Sequence, residues 1–268
     1  MTRVPGRLVL LGHPVSHSLS PAFQNAALRR AALPVRYELL DVAPDALDAT
    51  LDALIAEGVW GNVTIPHKEH VASRCARVSP IAARVSAVNT FWLEDGALVG
   101  DNTDVEGFLA LLDATAPSID HARPVALLGA GGAAAAVLAA LERRGFVDIR
   151  VSSRTAARAA ALCERFAAAR AVADREASVR DAALVVNATP AGLDDKTMPI
   201  DVGAIDPSAV VLDLVVGQNE TPFIREARAR GHPAADGLAM LIEQGAVAFE
   251  RWFGVSPDRD VMRQAVAR

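Results

Sequence analysis

A lysine and an aspartate, each next to a polar cluster, are the residues of this sequence best suited to moving a proton. Lys68 follows the run 62–65, in which polar Asn62 and Thr64 alternate with apolar residues, and a proline that forces a turn. Asp104 ends a second polar cluster at 102–104. If the two side chains meet, the carboxylate orients the ammonium, and the pair can donate or accept a proton as a C–O bond changes order. The alternative for the pair is an ordinary interdomain salt bridge.

A glycine-rich turn lies between a predicted strand and a predicted helix. The turn consists of Gly129, Ala130, Gly131, Gly132 and Ala133. Such glycines let the backbone approach a pyrophosphate, whose charge the helix amino terminus stabilises. Ala134 stands where the third glycine of the G-x-G-x-x-G pattern would be, and alanine is tolerated there. We predict a dinucleotide-binding turn, with a purely structural helix-packing turn as the alternative.

The end of the next strand favours NADP over NAD. A carboxylate at this position would hold a free ribose hydroxyl, whereas arginine accommodates a 2′-phosphate. The sequence has no acid here, and the candidate phosphate ligands are Ser153, Arg154, Thr155 and Arg158. The alternative is a solvated helix start with incidental arginines. The proton-transfer pair, the glycine-rich turn and these phosphate ligands together predict a dehydrogenase.

Ser18 and Ser20 lie just before a predicted helix start at Pro21. Their hydroxyl groups can cradle a carboxylate, or the Ser20 oxygen can cap the free amides of the helix. Both interpretations stay open from these residues alone.

Composition excludes several classes of function. The chain has 268 residues, is 51% hydrophobic and carries a formal net charge of -5, which gives no electrostatic footprint for nucleic acid. Cys75 and Cys163 lack a metal or redox spacing, and His67 and His70 have no second ligand cluster, so we expect neither disulfide nor metal. The apolar run near the amino terminus stops at Gly12, too short for a secretory segment. We expect a cytoplasmic protein that binds no membrane.

The elements that must position these residues alternate between strands and helices, which predicts an α/β fold with mainly parallel sheets. Strands are predicted at 7–11, 35–41, 61–65 and 88–93, the last turning at 95–96 into a short partner, and at 125–129, 148–152, 184–187 and 210–214. Helices are predicted at 20–32, 44–57 and 156–168, and from 237 onward. A new series of βα units begins at Val125 and indicates a second domain.

Ordered motifs along essentially the whole chain resemble those of the shikimate dehydrogenase family. They lie at 12–14, 16–21, 62–69, 87–90, 102–104, 129–133, 153–155, 187–189, 221–223 and 236–244. The resemblance implies NADPH-dependent reduction of 3-dehydroshikimate to shikimate on the way to aromatic amino acids. It also implies a substrate-binding catalytic domain of residues 1–104 with 237–268 and a Rossmann-type NADP-binding domain of residues 105–236, with a cleft between them.

The resemblance further implies roles for individual residues. Ser18 and Ser20 would bind the substrate carboxylate. The ring hydroxyls would be bound by Asn62, Thr64, Asn89, Asp104 and Gln244, and Lys68, assisted by Asp104, would be the proton donor or acceptor. Beyond the glycine-rich turn and the arginines, cofactor contacts would come from Asn187, Ala188, Thr189, Leu214 and Gly237.

The sequence departs from the family pattern at Val216, which would line the substrate site where a tyrosine is usual. Val105, Ser153 and Gln24 are further departures, and none removes a catalytic group. Val216 keeps open a paralogue acting on quinate or an amino analogue of shikimate. A non-catalytic module that senses NADP or a related metabolite is the alternative from another class. We expect a monomer or homodimer that closes by a hinge on a small-molecule substrate.

Overall fold

The computed structural model describes residues 5–217 and 219–267. Their backbone divides into two compact units. The first comprises the residues up to Asp104 together with those from Ile242 onward, and the second is Val105–Leu241. Each unit is built around one six-stranded sheet with helices packed on it, so the predicted α/β class is confirmed. Within the described ranges, no helix has the length and apolar character needed to cross a membrane.

The first unit contains a mixed sheet. Its strands are β1 (Leu8–Gly12), β2 (Tyr37–Asp41), β3 (Trp60–Val63), β4 (Arg77–Val78), β5 (Thr90–Glu94) and β6 (Ala97–Asp101), and its helices before Asp104 are α1 (Ser20–Arg30), α2 (Leu47–Glu57), α3 (Lys68–Arg74) and α4 (Pro80–Val85). The spatial order is β2-β1-β3-β5-β6-β4. β1 pairs in parallel with both β2 and β3, whereas β5 is antiparallel to β3 and β6.

The hairpin predicted at 95–96 is present. Asp95 and Gly96 both have positive φ angles, 51° and 79°, as the tight turn between two antiparallel strands requires. One face of the sheet packs on α2 through a buried cluster that includes Leu11, Leu51 and Phe91.

The second unit contains a fully parallel sheet. Its helices are α5 (Asp104–Thr115), α6 (Gly132–Arg143), α7 (Ala156–Cys163), α8 (Arg175–Val179) and α9 (Pro222–Ala229), and its strands are β7 (Val125–Leu128), β8 (Ile149–Ser152), β9 (Ala169–Ala171), β10 (Leu184–Asn187), β11 (Val210–Asp213) and β12 (Ala234–Asp236). The order β9-β8-β7-β10-β11-β12 is that of a doubly wound Rossmann-type sheet. The strand order reverses between β7 and β10, and ligands of such sheets bind beyond the strand ends at this point.

The chain returns to the first unit within α10 (Leu238–Phe253) and ends its described part after α11 (Arg259–Gln264). The helix predicted at 156–168 was too long, because α7 ends at Cys163 and Phe166 turns into the core, where it is buried. The two-residue strand β4 was not predicted, since Arg77 and Val78 are too few to show an alternating pattern.

Candidate active site

Lys68 and Asp104 form an ion pair inside the first unit. The Lys68 Nζ donates to Asp104 Oδ2 over 2.6 Å, and the two side chains are 14% and 6% exposed. Lys68 is the first residue of α3 and Asp104 the first of α5. Asp104 is the last residue of this part of the first unit, and the rest of α5 belongs to the second, so the pair lies within the first unit and the alternative of an interdomain salt bridge is wrong. A buried carboxylate in contact with an ammonium holds it in one position, as proton transfer to a ligand requires.

Asn89 joins this pair to the rest of the cluster. Its Nδ2 group lies 2.8 Å from Asp104 Oδ1, 2.9 Å from Thr103 Oγ1 and 3.2 Å from Gln244 Oε1, in each case as the donor. Its Oδ1 accepts from the Thr103 amide over 2.8 Å. The Thr103 hydroxyl also donates to the Gln244 carbonyl oxygen over 2.9 Å. The predicted site residues Asn89, Asp104 and Gln244 are therefore in direct contact.

The segment that carries Asp104 is fixed from behind by Asp101. Its Oδ2 accepts from Arg251 Nε over 2.8 Å, and its Oδ1 accepts from the Asn102 amide over 2.7 Å and from the Ser79 hydroxyl. Asn102 in turn accepts from the Asp104 amide through its side-chain oxygen, at 3.0 Å. These buried bonds fix the backbone from which the Asp104 carboxylate projects.

Asn62 and Thr64 lie at the carboxyl end of β3, next to this cluster. Asn62 is buried, and its Nδ2 donates to the Asn89 carbonyl oxygen over 3.0 Å. Thr64 is half-buried, and its amide donates to the Leu11 carbonyl oxygen over 2.8 Å, which continues the β1–β3 pairing by one residue. Its methyl group packs against Gly12 so closely that a Cβ at Gly12 would overlap it.

Ser18 and Ser20 are linked to each other at the start of α1. The Ser18 hydroxyl donates to Ser20 Oγ over 3.2 Å and accepts from the Ser20 amide at the same distance. The capping interpretation of Ser20 is wrong: the N-cap is Leu19, which makes no side-chain cap bond, and the amide of Ser20 itself donates to Ser18 Oγ. Ser20 is instead the first helical residue.

In the second unit, the glycine-rich turn follows β7 at the point where the strand order reverses. Gly129 has a φ of 121°, and a Cβ there would lie 2.7 Å from the Ala188 carbonyl oxygen, so the turn requires glycine. Among the described residues, a Cβ at Gly131 would meet nothing within 4 Å, and no side chain caps the following helix α6. Ala134 is fully buried, as expected for the residue that packs the helix on the strand. The free amides of α6 and the open space at Gly131 fit a pyrophosphate.

The arginines predicted to select the cofactor lie beyond the end of β8. Arg154, Thr155 and Arg158 are exposed, Ser153 is half-buried, and the Thr155 amide donates to Ser153 Oγ over 3.3 Å. Neither arginine has a carboxylate partner among residues 5–217 and 219–267. Two guanidinium groups without an acid beside them fit a phosphate dianion.

Asn187 and Asp213 tie together the ends of the neighbouring strands β10 and β11. Asn187 Nδ2 donates to Asp213 Oδ1 over 2.8 Å, and Asn187 Oδ1 accepts from the hydroxyl and amide of Thr189. Asp213 also accepts from the Thr221 hydroxyl over 2.6 Å and from the Val215 amide over 3.1 Å. Burial raises the pKa of Asp213 to about 6.

The remaining predicted residues of this unit lie close to that network. A Cβ at Gly237 would lie 2.7 Å from the Leu214 carbonyl oxygen and 3.0 Å from Val216 Cγ2, so these three residues are packed together. The carbonyl oxygen of Ala188 lies next to Gly129 and leaves no room for a Cβ there. No role was predicted from the sequence for Asp213, Thr221, Thr103 or Asp101, although Thr103 and Thr221 lie within its motifs. Their sequence positions could have indicated a role in the site, because each lies at the end of a strand or the start of a helix, near a residue that was predicted to bind substrate or cofactor.

Sequence profiles of one enzyme family match most of the chain. Residues 10–91 match the shikimate dehydrogenase substrate binding domain, residues 113–198 match shikimate/quinate 5-dehydrogenase, and residues 237–267 match the shikimate 5′-dehydrogenase C-terminal domain. A relative from Mesorhizobium japonicum, named shikimate dehydrogenase (NADP(+)), is 43% identical over 262 residues, which are 96% of this chain and 94% of the relative.

Two solved structures extend the comparison to the fold. Shikimate 5-dehydrogenase from Thermus thermophilus, in complex with NADP(H) and shikimate, is 41% identical with a TM-score of 0.87, over 97% of this chain and 98% of that one. Quinate dehydrogenase from Corynebacterium glutamicum, in complex with NAD, is 30% identical with a TM-score of 0.88, over 98% and 99% of the chains. The resemblance predicted from the motifs is thereby confirmed, and this chain belongs to the shikimate dehydrogenase family.

Proposed function

We propose that this protein catalyses the reversible, NADPH-dependent reduction of 3-dehydroshikimate to shikimate in aromatic amino acid biosynthesis. The observation that carries the proposal is the Lys68–Asp104 ion pair, 2.6 Å long and buried beside Asn89 and Gln244. A buried, fixed proton donor next to amide and carboxylate groups suits a small polyol whose carbonyl must be protonated as it is reduced. Membership of the family supports the substrate.

Lys68 is the proton donor in the direction of reduction. NADPH, when bound, supplies the hydride that adds to the carbonyl carbon. The Lys68 ammonium gives its proton to the carbonyl oxygen as that oxygen becomes an alcohol, and the amine then takes a proton from solvent. Asp104 keeps the ammonium in place through Oδ2 and is itself held through Oδ1 by Asn89. In the oxidation of shikimate the same groups act in reverse.

The polar groups around the pair bind the rest of the substrate. Ser18 and Ser20, linked to each other at the head of α1, bind the carboxylate. The ring hydroxyls are bound by Asn62, Thr64, Asn89, Asp104 and Gln244. Hydroxyl and carboxamide groups both donate and accept, which suits a ring that carries several hydroxyl groups. The coupling of Asn62 to Asn89 and of Asn89 to Asp104 supports a single polyol site in the first unit.

NADP is held by the second unit. Gly131 and the uncapped start of α6 would hold the pyrophosphate, and Arg154 and Arg158 would hold the 2′-phosphate. The strand-end loops at 187–189, Leu214 and Gly237 contact the nicotinamide half. The exposed, unpaired guanidinium groups support NADP over NAD, because a phosphate dianion can bind both at once.

The experiment that tests the function follows absorbance at the reduced-nicotinamide band. The purified protein is mixed with shikimate and with NADP or NAD, and we expect rapid reduction of NADP and much slower reduction of NAD. The same assay with quinate and an amino analogue of shikimate tests the second candidate, which Val216 favours because it offers no hydroxyl where the family has a tyrosine. No absorbance change with any of these acids would favour a metabolite sensor.

We also propose a cytoplasmic location. Cys75 and Cys163 are free thiols, and burial raises the pKa of Cys75 to about 11, so this thiol stays protonated and unreactive. Whether the protein is a monomer or a homodimer stays a prediction, which light scattering on the eluting protein would decide.

A further inference from the structure

Tyr37 is the single tyrosine of the sequence, and it lies under the site proposed for the substrate. It begins β2, pairs with Leu8 of β1 and is 1% exposed. The sequence reasoning placed it within a strand and gave it no role. An aromatic residue at such a position is usually part of the core, but the phenol oxygen of a buried tyrosine needs a hydrogen-bond partner.

The partners of this phenol are two of the residues proposed to bind the substrate. Its hydroxyl donates to Asn62 Oδ1 over 2.8 Å, and the Ser20 side chain is near enough to it to lower its pKa, against the larger effect of burial. The Ser20 oxygen also accepts from Ser18 over 3.2 Å. The phenol thus lies between the two serines at the head of α1 and the carboxamide at the end of β3.

The ring itself is held firmly. The Asn25 side chain accepts from the Tyr37 amide over 2.9 Å and donates to the Tyr37 carbonyl oxygen over 2.8 Å. The ring also packs at a tilt against Trp252, with centroids 6.3 Å apart. A side chain fixed at both backbone groups and at the ring can impose its geometry on its hydrogen-bond partners rather than follow them.

The polarity of this bond decides what the Asn62 carboxamide can offer a ligand. Its Nδ2 donates one hydrogen to the Asn89 carbonyl oxygen, and its Oδ1 accepts from the phenol. The second Nδ2 hydrogen and the second Oδ1 lone pair are then the groups available to a hydroxyl. Desolvation raises the pKa of Tyr37 far above its usual value, so the phenol remains a donor wherever the protein is folded.

We propose that Tyr37 is a positioning residue for the substrate, acting through Ser20 and Asn62 to fix the hydroxyl that meets the carboxylate and the amide that meets a ring hydroxyl. The inference rests on the proposed function and deepens it by adding a residue that touches neither substrate nor cofactor. Without the phenol oxygen, Asn62 Oδ1 loses a buried donor, and Ser20 loses a neighbouring hydroxyl group. Asn62 is then held through its bond to the Asn89 carbonyl oxygen and Ser20 through its bonds to Ser18, so both side chains are less firmly positioned.

The principal test compares the Tyr37→Phe variant with the wild type in steady-state kinetics. The variant keeps the ring and removes one oxygen. We expect the KM for shikimate to rise about tenfold, equivalent to about 1.4 kcal/mol, while kcat and the KM for NADP stay within about twofold. The matched control is Ser178→Ala in the second unit, which also removes a buried hydroxyl, one that donates only to the Arg175 carbonyl oxygen. Its KM for shikimate should not change.

A double-mutant cycle tests whether Tyr37 acts through Asn62. In an Asn62→Ala background, the further change Tyr37→Phe should raise the KM by less than half of its effect in the wild type, because the partner is already gone. Additive effects on the free energy would overturn the inference, as would an unchanged KM in Tyr37→Phe with normal wild-type turnover. A wild type that neither turns over nor binds shikimate would overturn the proposed function and this inference together.

If the Tyr37→Phe variant does not fold, a measurement on the wild-type protein tests the positioning role of Tyr37. Because the chain has one tyrosine, labelling the phenol carbon that bears the hydroxyl gives a single NMR signal. We expect shikimate to shift this signal at concentrations that also saturate turnover, and NADP alone to leave it in place. A signal that does not respond to bound shikimate would overturn the inference.

Discussion

The strongest test of the proposed chemistry is the Lys68→Met variant, because methionine keeps most of the aliphatic stem and removes only the ammonium. The sequence contains one other lysine, Lys196, which is exposed in the loop after β10. Lys196→Met is therefore a matched control with the same change of charge and side chain. Any effect of lost positive charge in general would appear in both variants.

The expected size of the effect follows from the surroundings of the pair. A positioned acid or base contributes about 10²–10⁴ in rate, so kcat should fall by about that factor. The variant also leaves Asp104, 6% exposed, with Asn89 as a remaining partner, and breaking such a buried pair costs about 3 kcal/mol, at the lower end of the usual range because Lys68 is 14% exposed. Folded domains have about 5–15 kcal/mol of stability, so the variant should still fold.

The assay separates these two effects. Steady-state oxidation of shikimate gives kcat and KM, and thermal unfolding gives the stability loss. Adding Asp104→Asn to Lys68→Met removes the unpaired charge, so it should recover part of the stability and none of the activity. A folded Lys68→Met variant that keeps kcat within about tenfold of the Lys196→Met control would refute the assignment of Lys68 as proton donor.

Three further predictions concern the second unit. Changing Arg154 and Arg158 together to methionine should raise the KM for NADP at least about tenfold and leave that for NAD within about twofold, and an equal loss for both cofactors would remove the phosphate argument. Gly129→Ala should lower the free energy of unfolding by about 1–3 kcal/mol because of its positive φ, whereas Gly131→Ala, with open space around it, should leave the melting temperature unchanged and weaken NADP binding. Asp213 has a folded-state pKa of about 6, above its value of about 4 in the unfolded chain, so between these values the folded state binds more protons and stability falls as pH rises. Compared with Asp213→Asn, the wild type should lose about 2–3 kcal/mol of unfolding free energy from pH 4 to pH 6.5, and parallel curves for the two proteins would contradict this.

The sequence was informative where a residue's chemistry followed from its position at a strand end. Lys68 and Asp104 both follow polar segments that end strands of the same sheet, β3 and β6. These two strands run in the same direction on either side of the antiparallel β5, so their carboxyl ends lie at one edge. Their contact was therefore predictable before the fold was known. The glycine-rich turn was predictable for the same reason, since it lies directly after β7 and before α6.

The sequence was uninformative where a role depends on long-range partners. Tyr37 lies in a strand where apolar and polar residues alternate, a pattern that is typical of a core residue. Only the distance from its oxygen to Asn62 distinguishes a phenol that positions another side chain from a ring that merely fills the core. The interpretation of Ser20 as a cap failed because the helix begins one residue earlier than serine-proline statistics suggest. Asp213 likewise gains its partner Thr221 through the loop that follows β11, whose course no local pattern specifies.

The hydrogen bonds around Asn89 explain how a polyol could bind in a buried polar cluster without leaving a donor or an acceptor of the cluster unpaired. The Asn89 amide nitrogen has two hydrogens but three acceptors within reach, on Thr103, Asp104 and Gln244, so the three bonds cannot all be at full strength together. A substrate hydroxyl can donate to one of these acceptors while Asn89 keeps the other two. The cluster therefore exchanges one weakened internal bond for a bond to the ligand, and the exchange costs little because no buried group is left unsatisfied. Since Asp104 is one of the three acceptors, a hydroxyl bound there would lie beside the Lys68–Asp104 ion pair, and this would couple recognition of the ring to the proposed proton donor.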